Sequence, residues 1–357
     1  LRLILNRATN LKVPSFYNNS ARHFYKHRFQ VVFNSLQTVR NIRIENEDQN
    51  DYQTETILDR HLSKIPHPND PVLNRIKNCA TLEEFLALSQ EVETKDQIIQ
   101  LLLLHGRIRN RNELTILNDI NDLVMRIDRV LPEMSDVELA LCLLYLRLLS
   151  VNTKIDTIQS IIGTLLSNIK EKGVKFDSIA LSVFTEFLML ERSLYAKLIM
   201  VETLPIIFSK LETCNDAESA YFLACCLNNV HPIISTDALT DVKLKTINLL
   251  DRNIINEESP RAVFKFLNFF NFPYWSSFNY KLIQRLLLVL EKSVPKMTQS
   301  ELFQTNRSIF VNYEPASLVP LIRDRAHELM DKTQNVELLQ IICMYCSPDL
   351  RIKYVEM

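Results

Sequence analysis

Apolar residues recur along this chain at helical spacing, and the apolar runs are punctuated about every forty residues. Residues able to cap a helix precede apolar runs at Thr94, Asp136, Asp177, Asp216, Ser259, Ser300 and Asn335, at intervals of 42, 41, 39, 43, 41 and 35 residues. Each has a side-chain oxygen that can accept a hydrogen bond from the unsatisfied amides of a first helical turn. After each cap the pattern predicts a shorter helix, a break and a longer amphipathic helix. The second helices are expected over 112–131, 154–172, 194–211, 240–254, 278–292 and 318–332.

Aligning the first helices on their caps supports the repeat. The third position reads Leu139, Ala180, Ser219, Ala262, Phe303 and Leu338, and the seventh Leu143, Phe184, Leu223, Phe266, Arg307 and Ile342. The tenth reads Leu146, Phe187, Cys226, Phe269, Phe310 and Tyr345. These offsets share one helical face and are nearly all apolar or small. Arg307 breaks the stripe, and a one-residue shift of that repeat's cap would move it off. A lone hairpin of two fifteen-residue helices cannot fold, because ordering costs about 1.5 kcal/mol per residue while burial returns about 25 cal/mol per Å². Stacked hairpins share a continuous core. The expected fold is therefore all-α, an α-solenoid of tandem hairpins over 72–357. With axes 8–10 Å apart, six hairpins would span roughly 50–60 Å.

Composition agrees with that class. The chain has only 3 glycines in 357 residues, where average usage gives about 25. Tight hairpins, phosphate loops and doubly wound sheets draw on glycine for left-handed turns and close backbone approach. No apolar run reaches the eighteen or so residues of a membrane span. The 7 cysteines are unpatterned. Cys343 and Cys346 have the spacing of half a zinc site, with no second pair or nearby histidine to complete it. With Cys225 and Cys226 they read as small buried hydrophobes in a reducing compartment.

Charge divides the chain. Residues 1–44 hold Arg2, Arg7, Lys12, Arg22, Lys26, Arg28, Arg40 and Arg43 and no acid, whereas the remaining 313 residues hold 33 basic and 42 acidic groups. An acid-free basic leader with Leu1, Leu3, Ile4, Leu5 and Leu11 at helical spacing has the make-up of a mitochondrial transit peptide, which places the chain in the matrix. Arg2, Arg7, Lys12, Arg22 and Arg28 would carry the targeting charge; the alternative is a basic arm for nucleic acid. Residues 45–71, with Glu45, Glu47, Asp48, Asp51, Glu55, Pro66, Pro68 and Pro71, read as an acidic linker.

No phosphate-loop, dinucleotide, zinc-protease, nucleophile-elbow or kinase motif is present. Seven scattered histidines, His105 and His327 among them, show no ligand spacing. The expectation is a protein without catalysis, metal or cofactor. Candidate RNA contacts are Arg107, Arg109 and Arg111, between the helices of the first full repeat, and Lys170, Lys172 and Lys175, in the next inter-repeat turn. The competing reading is that cations near helix C-termini offset the dipole and keep turns soluble. A one-base-per-repeat code would need a polar side chain at a fixed offset. The sixth position, for instance, reads Cys142, Val183, Phe222, Lys265, Asn306 and Ile341.

The stretch from Ile76 to Leu88, with Asn78, Cys79, Ala80, Thr81, Leu82, Glu83, Glu84, Phe85 and Leu86, resembles the short helix that opens the repeat region of FAST kinase-domain proteins. The basic leader, acidic linker and forty-residue period are similar to that family from about residue 70 onward. The resemblance implies a mitochondrial protein acting on mitochondrial RNA in processing, stability or translation, with RNA-processing or ribosomal proteins as partners and no kinase chemistry. The RAP module that ends family members is not recognised before Met357. A HEAT- or armadillo-like protein scaffold without nucleic acid is the other class of function.

Overall fold

The computed structural model describes residues 70–79, 81–105, 121–148, 151, 155–191, 193–270, 276–299, 301–302, 305 and 317–333. The chain divides into two units, Leu1–Thr54 and Glu55–Met357, and every described residue belongs to the second. The described residues form thirteen α-helices, short 3-10 turns and no strand. In order they are α1 Pro71–Asn78, α2 Leu82–Ser89, α3 Lys95–His105, α4 Asn121–Val130, α5 Asp136–Leu148, α6 Asp156–Lys172 and α7 Ser178–Glu191. Then follow α8 Leu194–Thr213, α9 Ala217–Val230, α10 Thr236–Asp251, α11 Pro260–Phe270, α12 Ser276–Ser293 and α13 Leu318–Thr333.

Most helix starts obey the expected capping chemistry. Asp177 accepts from the amides of Ile179 and Ala180, and Asp216 from that of Ser219. Thr94 accepts from Gln97, whose side chain returns a bond to the Thr94 amide. Two caps are displaced. Ser135, not Asp136, caps α5 in a reciprocal box with Glu138. Thr298, not Ser300, forms the same box with Glu301. A Ser or Thr with Glu three residues on satisfies two amides at once, so it wins over a neighbour that could satisfy one. Recentred on Thr298, the seventh position of that repeat is the buried Thr305 instead of Arg307. Ser259 stands at the start of α11, but its hydroxyl turns back to the backbone of Asn256. Pro71 opens α1 behind the Asp70 cap, at the one helical position where its missing amide costs nothing. The second helix expected over 240–254 is α10, which starts four residues earlier behind Ser235. Asn335 lies outside the described residues, as do 112–120 of the first predicted second helix.

Burial follows from stacking. The first helices α3, α5, α7, α9 and α11 pack each on the next, α3, α5, α7 and α11 also pack on α4, α6, α8 and α12, and among the second helices α4 packs on α6, α8 on α10 and α10 on α12. Enclosed by these neighbours, α5 is buried from Val137 to Leu144 without interruption. One apolar cluster runs from Leu73 to Ala326.

The turns between hairpins carry a second device. Each enters its first helix over a buried apolar residue, such as Met134, Phe176 or Met297. Carbonyls near these anchors accept from a cation on the following second helix. Arg126 of α4 donates to Gln90 and Val92, Lys210 of α8 to Val174 and Phe176, and Arg325 of α13 to Met297. Backbone oxygens drawn toward the core are thereby satisfied.

Gly173 ends α6 at φ 53° and ψ −124°, a conformation closed to residues with a Cβ. No atom lies within 4 Å of where a Cβ would stand, so the penalty is backbone strain alone. Gly173→Ala is expected to cost about 1–3 kcal/mol, whereas Gly163→Ala, mid-helix and exposed, is expected to stabilise by about 0.5–1 kcal/mol. Thermal melts of the two variants followed by circular dichroism should shift in opposite directions.

Candidate functional site

Lys170 and Lys172 occupy the last turn of α6, and Lys175 ends the 3-10 turn that follows. Lys172 donates to Asp136 at 2.5 Å, beside a 2.7 Å bond from Asn168 to the other oxygen of the same carboxylate. Its ammonium also sits 5.9 Å from the centre of the Phe176 ring. Lys172 thus fastens the end of α6 to the start of α5. Lys170 lies 3.6 Å from Glu202 of α8, both side chains mostly in water. Lys175 is exposed and has no charged partner among the described residues.

The arginine run lies outside the described residues, but its point of departure is defined. Lys95 pairs with Glu138 at 3.2 Å, joining the N-terminal turns of α3 and α5. The lysine turn stands at that same edge. His105 closes α3 ten residues on from Lys95, about 15 Å along the axis. Arg107, Arg109 and Arg111 lie outside the described residues. Arg2, Arg7, Lys12, Arg22 and Arg28 also lie outside the described residues.

A second group of polar side chains gathers on the first helices. Burial raises the pKa of Glu186 of α7 and of Tyr221 and Cys225 of α9, and the charge of Lys265 of α11 opposes this at Glu186 and Cys225. Asn228 donates to the backbone oxygen of Lys265 at 2.9 Å, and Asn229 donates to Thr185 at 3.2 Å, binding α9 to both flanking helices. Arg261 lies 3.3 Å from Glu301.

The setting of Glu186 is unusual. Its surface is open, yet the protein around it thins the water near its carboxyl and raises its pKa, against the field of Lys265. The thiols are poorly suited to attack. Burial raises the pKa of Cys79, Cys142, Cys214, Cys225 and Cys226, which keeps them protonated. Among the described residues no three His, Cys, Asp or Glu side chains are grouped to hold a metal.

On the outer side, α8 exposes Leu194 (75%), Tyr195 (51%), Leu198 (57%) and Val201 (51%). They form one ridge at positions i, i+1, i+4 and i+7. A mainly apolar cleft of about 180 Å³ lies beside it, lined by Ile162, Phe187, Leu188, Tyr195, Ala196 and Ile199. Among the described residues no helix is long and apolar enough to cross a membrane.

Sequence reasoning named the lysines and named neither of these surfaces. The inner group had a signal: Glu186 and Lys265 are charges in the middle of first helices made mostly of apolar residues. The α8 ridge had none, because Leu194–Leu204 is apolar nearly all round and its periodicity marks no outward face. Comparison with family models, with curated proteins and with solved structures finds no match for the chain.

Proposed function

We propose that this chain is a non-catalytic regulator of mitochondrial RNA, built as an α-solenoid of hairpins with a period near forty residues. The solenoid reading draws support from the serial packing of α3, α5, α7, α9 and α11 and from bonds between elements that recur at separations of 34 to 47 residues, such as Arg126 to Val92, Lys210 to Phe176, Asn228 to Lys265 and Asn229 to Ser182. Two repeats also share a contact: Cys142 meets Met134 and Thr305 meets Met297, each pair eight residues apart and with sulfur at 3.8 Å.

The observation that carries the RNA reading is the lysine turn. Lys170 and Lys175 face water within a few residues of each other, and the exposed pair of Lys170 with Glu202 contributes about 0–1 kcal/mol. A phosphate can take the place of that carboxylate at little cost, with release of counterions. The acid-free leader and the resemblance of Ile76–Leu88 to the FAST kinase-domain repeat opening supply the mitochondrial setting, with RNA-processing or ribosomal proteins as partners. Lys170→Glu combined with Lys175→Glu is expected to reduce RNA recovered by crosslinking from isolated mitochondria about tenfold, since two phosphate contacts become repulsive. Lys172 stays unchanged because it holds α6 to α5. Recovery equal to wild type, or recovery of proteins alone from both, would sink the reading.

A protein-interaction scaffold without nucleic acid is the second reading, and the ridge on α8 favours it. Exposed apolar clusters of this kind mark docking surfaces in soluble proteins.

A further inference from the structure

We infer that the α8 ridge pairs with the same ridge of a second copy of this chain, the two helices parallel and related by a two-fold axis along α8. The face is shown by its exposure. Leu194, Leu198, Val201 and Pro205 all lie open on α8, at intervals of four, three and four residues. That is the spacing of a single seam between two helices. At about 3.6 residues per turn, Lys197 falls on one flank of the seam, and Tyr195 and Glu202 fall on the other. Both charged side chains are exposed.

The charges decide the occupant. In a parallel pair of helices, a residue on one flank meets the residue five places on along the opposite flank of its partner. Lys197 and Glu202 stand at that separation. Under the two-fold, Lys197 of each copy meets Glu202 of the other, and both ion pairs form at once. Between them, Leu194, Leu198 and Val201 each face their own counterpart. An antiparallel pair sets like flanks together and brings Lys197 against Leu204, so the match is lost. A foreign ligand of one sign gains little from a face whose two charges cancel.

Neither charge is committed elsewhere. Lys197 forms no ion pair among the described residues. Glu202 lies 3.6 Å from Lys170, with both side chains mostly in water, a contact readily exchanged for another. Four ridge side chains offer on the order of 400 Å², about half the area each partner gives to a standard interface. The dimer is therefore a reversible one, with a dissociation constant on the order of 10 μM. The inference rests on the ridge being a docking surface, as in the scaffold reading, and it stands whether or not RNA binds the lysine turn.

Sedimentation equilibrium of the full chain is the test. Between about 1 and 100 μM the wild type should pass from monomer to dimer. Leu198→Asp, on the open side of α8, should stay monomeric with an unchanged far-UV spectrum. Lys197→Glu and Glu202→Lys should each self-associate at least about tenfold more weakly than wild type, because each sets two like-charged pairs across the seam. An equimolar mixture of these two variants should dimerise within about threefold of wild type, since every charge again meets its opposite. Mixing cannot repair a folding defect, so the rescue reads the pairing itself. Wild type that remains monomeric at about 100 μM would overturn the inference and leave the ridge to another protein. A dimer that survives Leu198→Asp, or a mixture no tighter than its components, would overturn it as well.

Discussion

Phe184→Ala is expected to destabilise the protein by about 3–5 kcal/mol. Phe184 is fully buried in α7, its ring stacked on that of Phe187 with centroids 6.4 Å apart. α7 packs on α5 before it and α9 after it, so a cavity here weakens two interfaces at once. In a serially packed array, coupling between neighbours carries the cooperativity of unfolding. Urea denaturation of the variant should therefore show a lower midpoint and a broader transition. Hydrogen exchange should accelerate in α5 and α9 as well as in α7. A variant that unfolds in one transition as sharp as that of the wild type would argue for a closed globular core, with strength spread over many long-range contacts.

Lys210→Met should be nearly as damaging, at about 2–3 kcal/mol, although it replaces a charged residue with one of similar length and greater hydrophobicity. Lys210 is 9% exposed, and its ammonium donates to Val174 at 2.9 Å and Phe176 at 2.7 Å. Methionine keeps the stem and removes both donors, leaving the carbonyls of Val174 and Phe176 without their partner. The loss should be local. Amides at the start of α7, Ile179 to Leu181, should lose exchange protection first, while those of α11 keep theirs. If Lys210→Met were neutral, the turn carbonyls would be hydrated in the native state and the clasp would be incidental.

The lysines show how one residue type takes two roles. Lys170, Lys172, Lys175 and Lys210 are indistinguishable as letters. Folded, Lys172 braces α6 against α5, Lys210 closes a hairpin from within, and Lys170 and Lys175 remain available to solvent. A sequence-based choice of RNA contacts has no access to that difference, because the partners of Lys172 and Lys210 lie 34 to 36 residues away.

Helical class could be read from the letters, because it depends on interactions within four residues: an oxygen reaching the amide two or three places on, and apolar side chains at i, i+3 and i+7 sharing a face. Even the misplaced caps obey a local rule, the Ser135–Glu138 and Thr298–Glu301 boxes. Tertiary structure decided what local pattern leaves open. Whether a charge such as Glu186 stands clear of other charges or in the field of one on a neighbouring helix, and whether the apolar side chains of α8 point into the core or out as a ridge, depends on which neighbours pack on each helix. That is a property of contacts between residues far apart in the chain, and the α8 sequence, in which Lys197 and Glu202 interrupt the apolar residues without marking one polar face, does not foretell it.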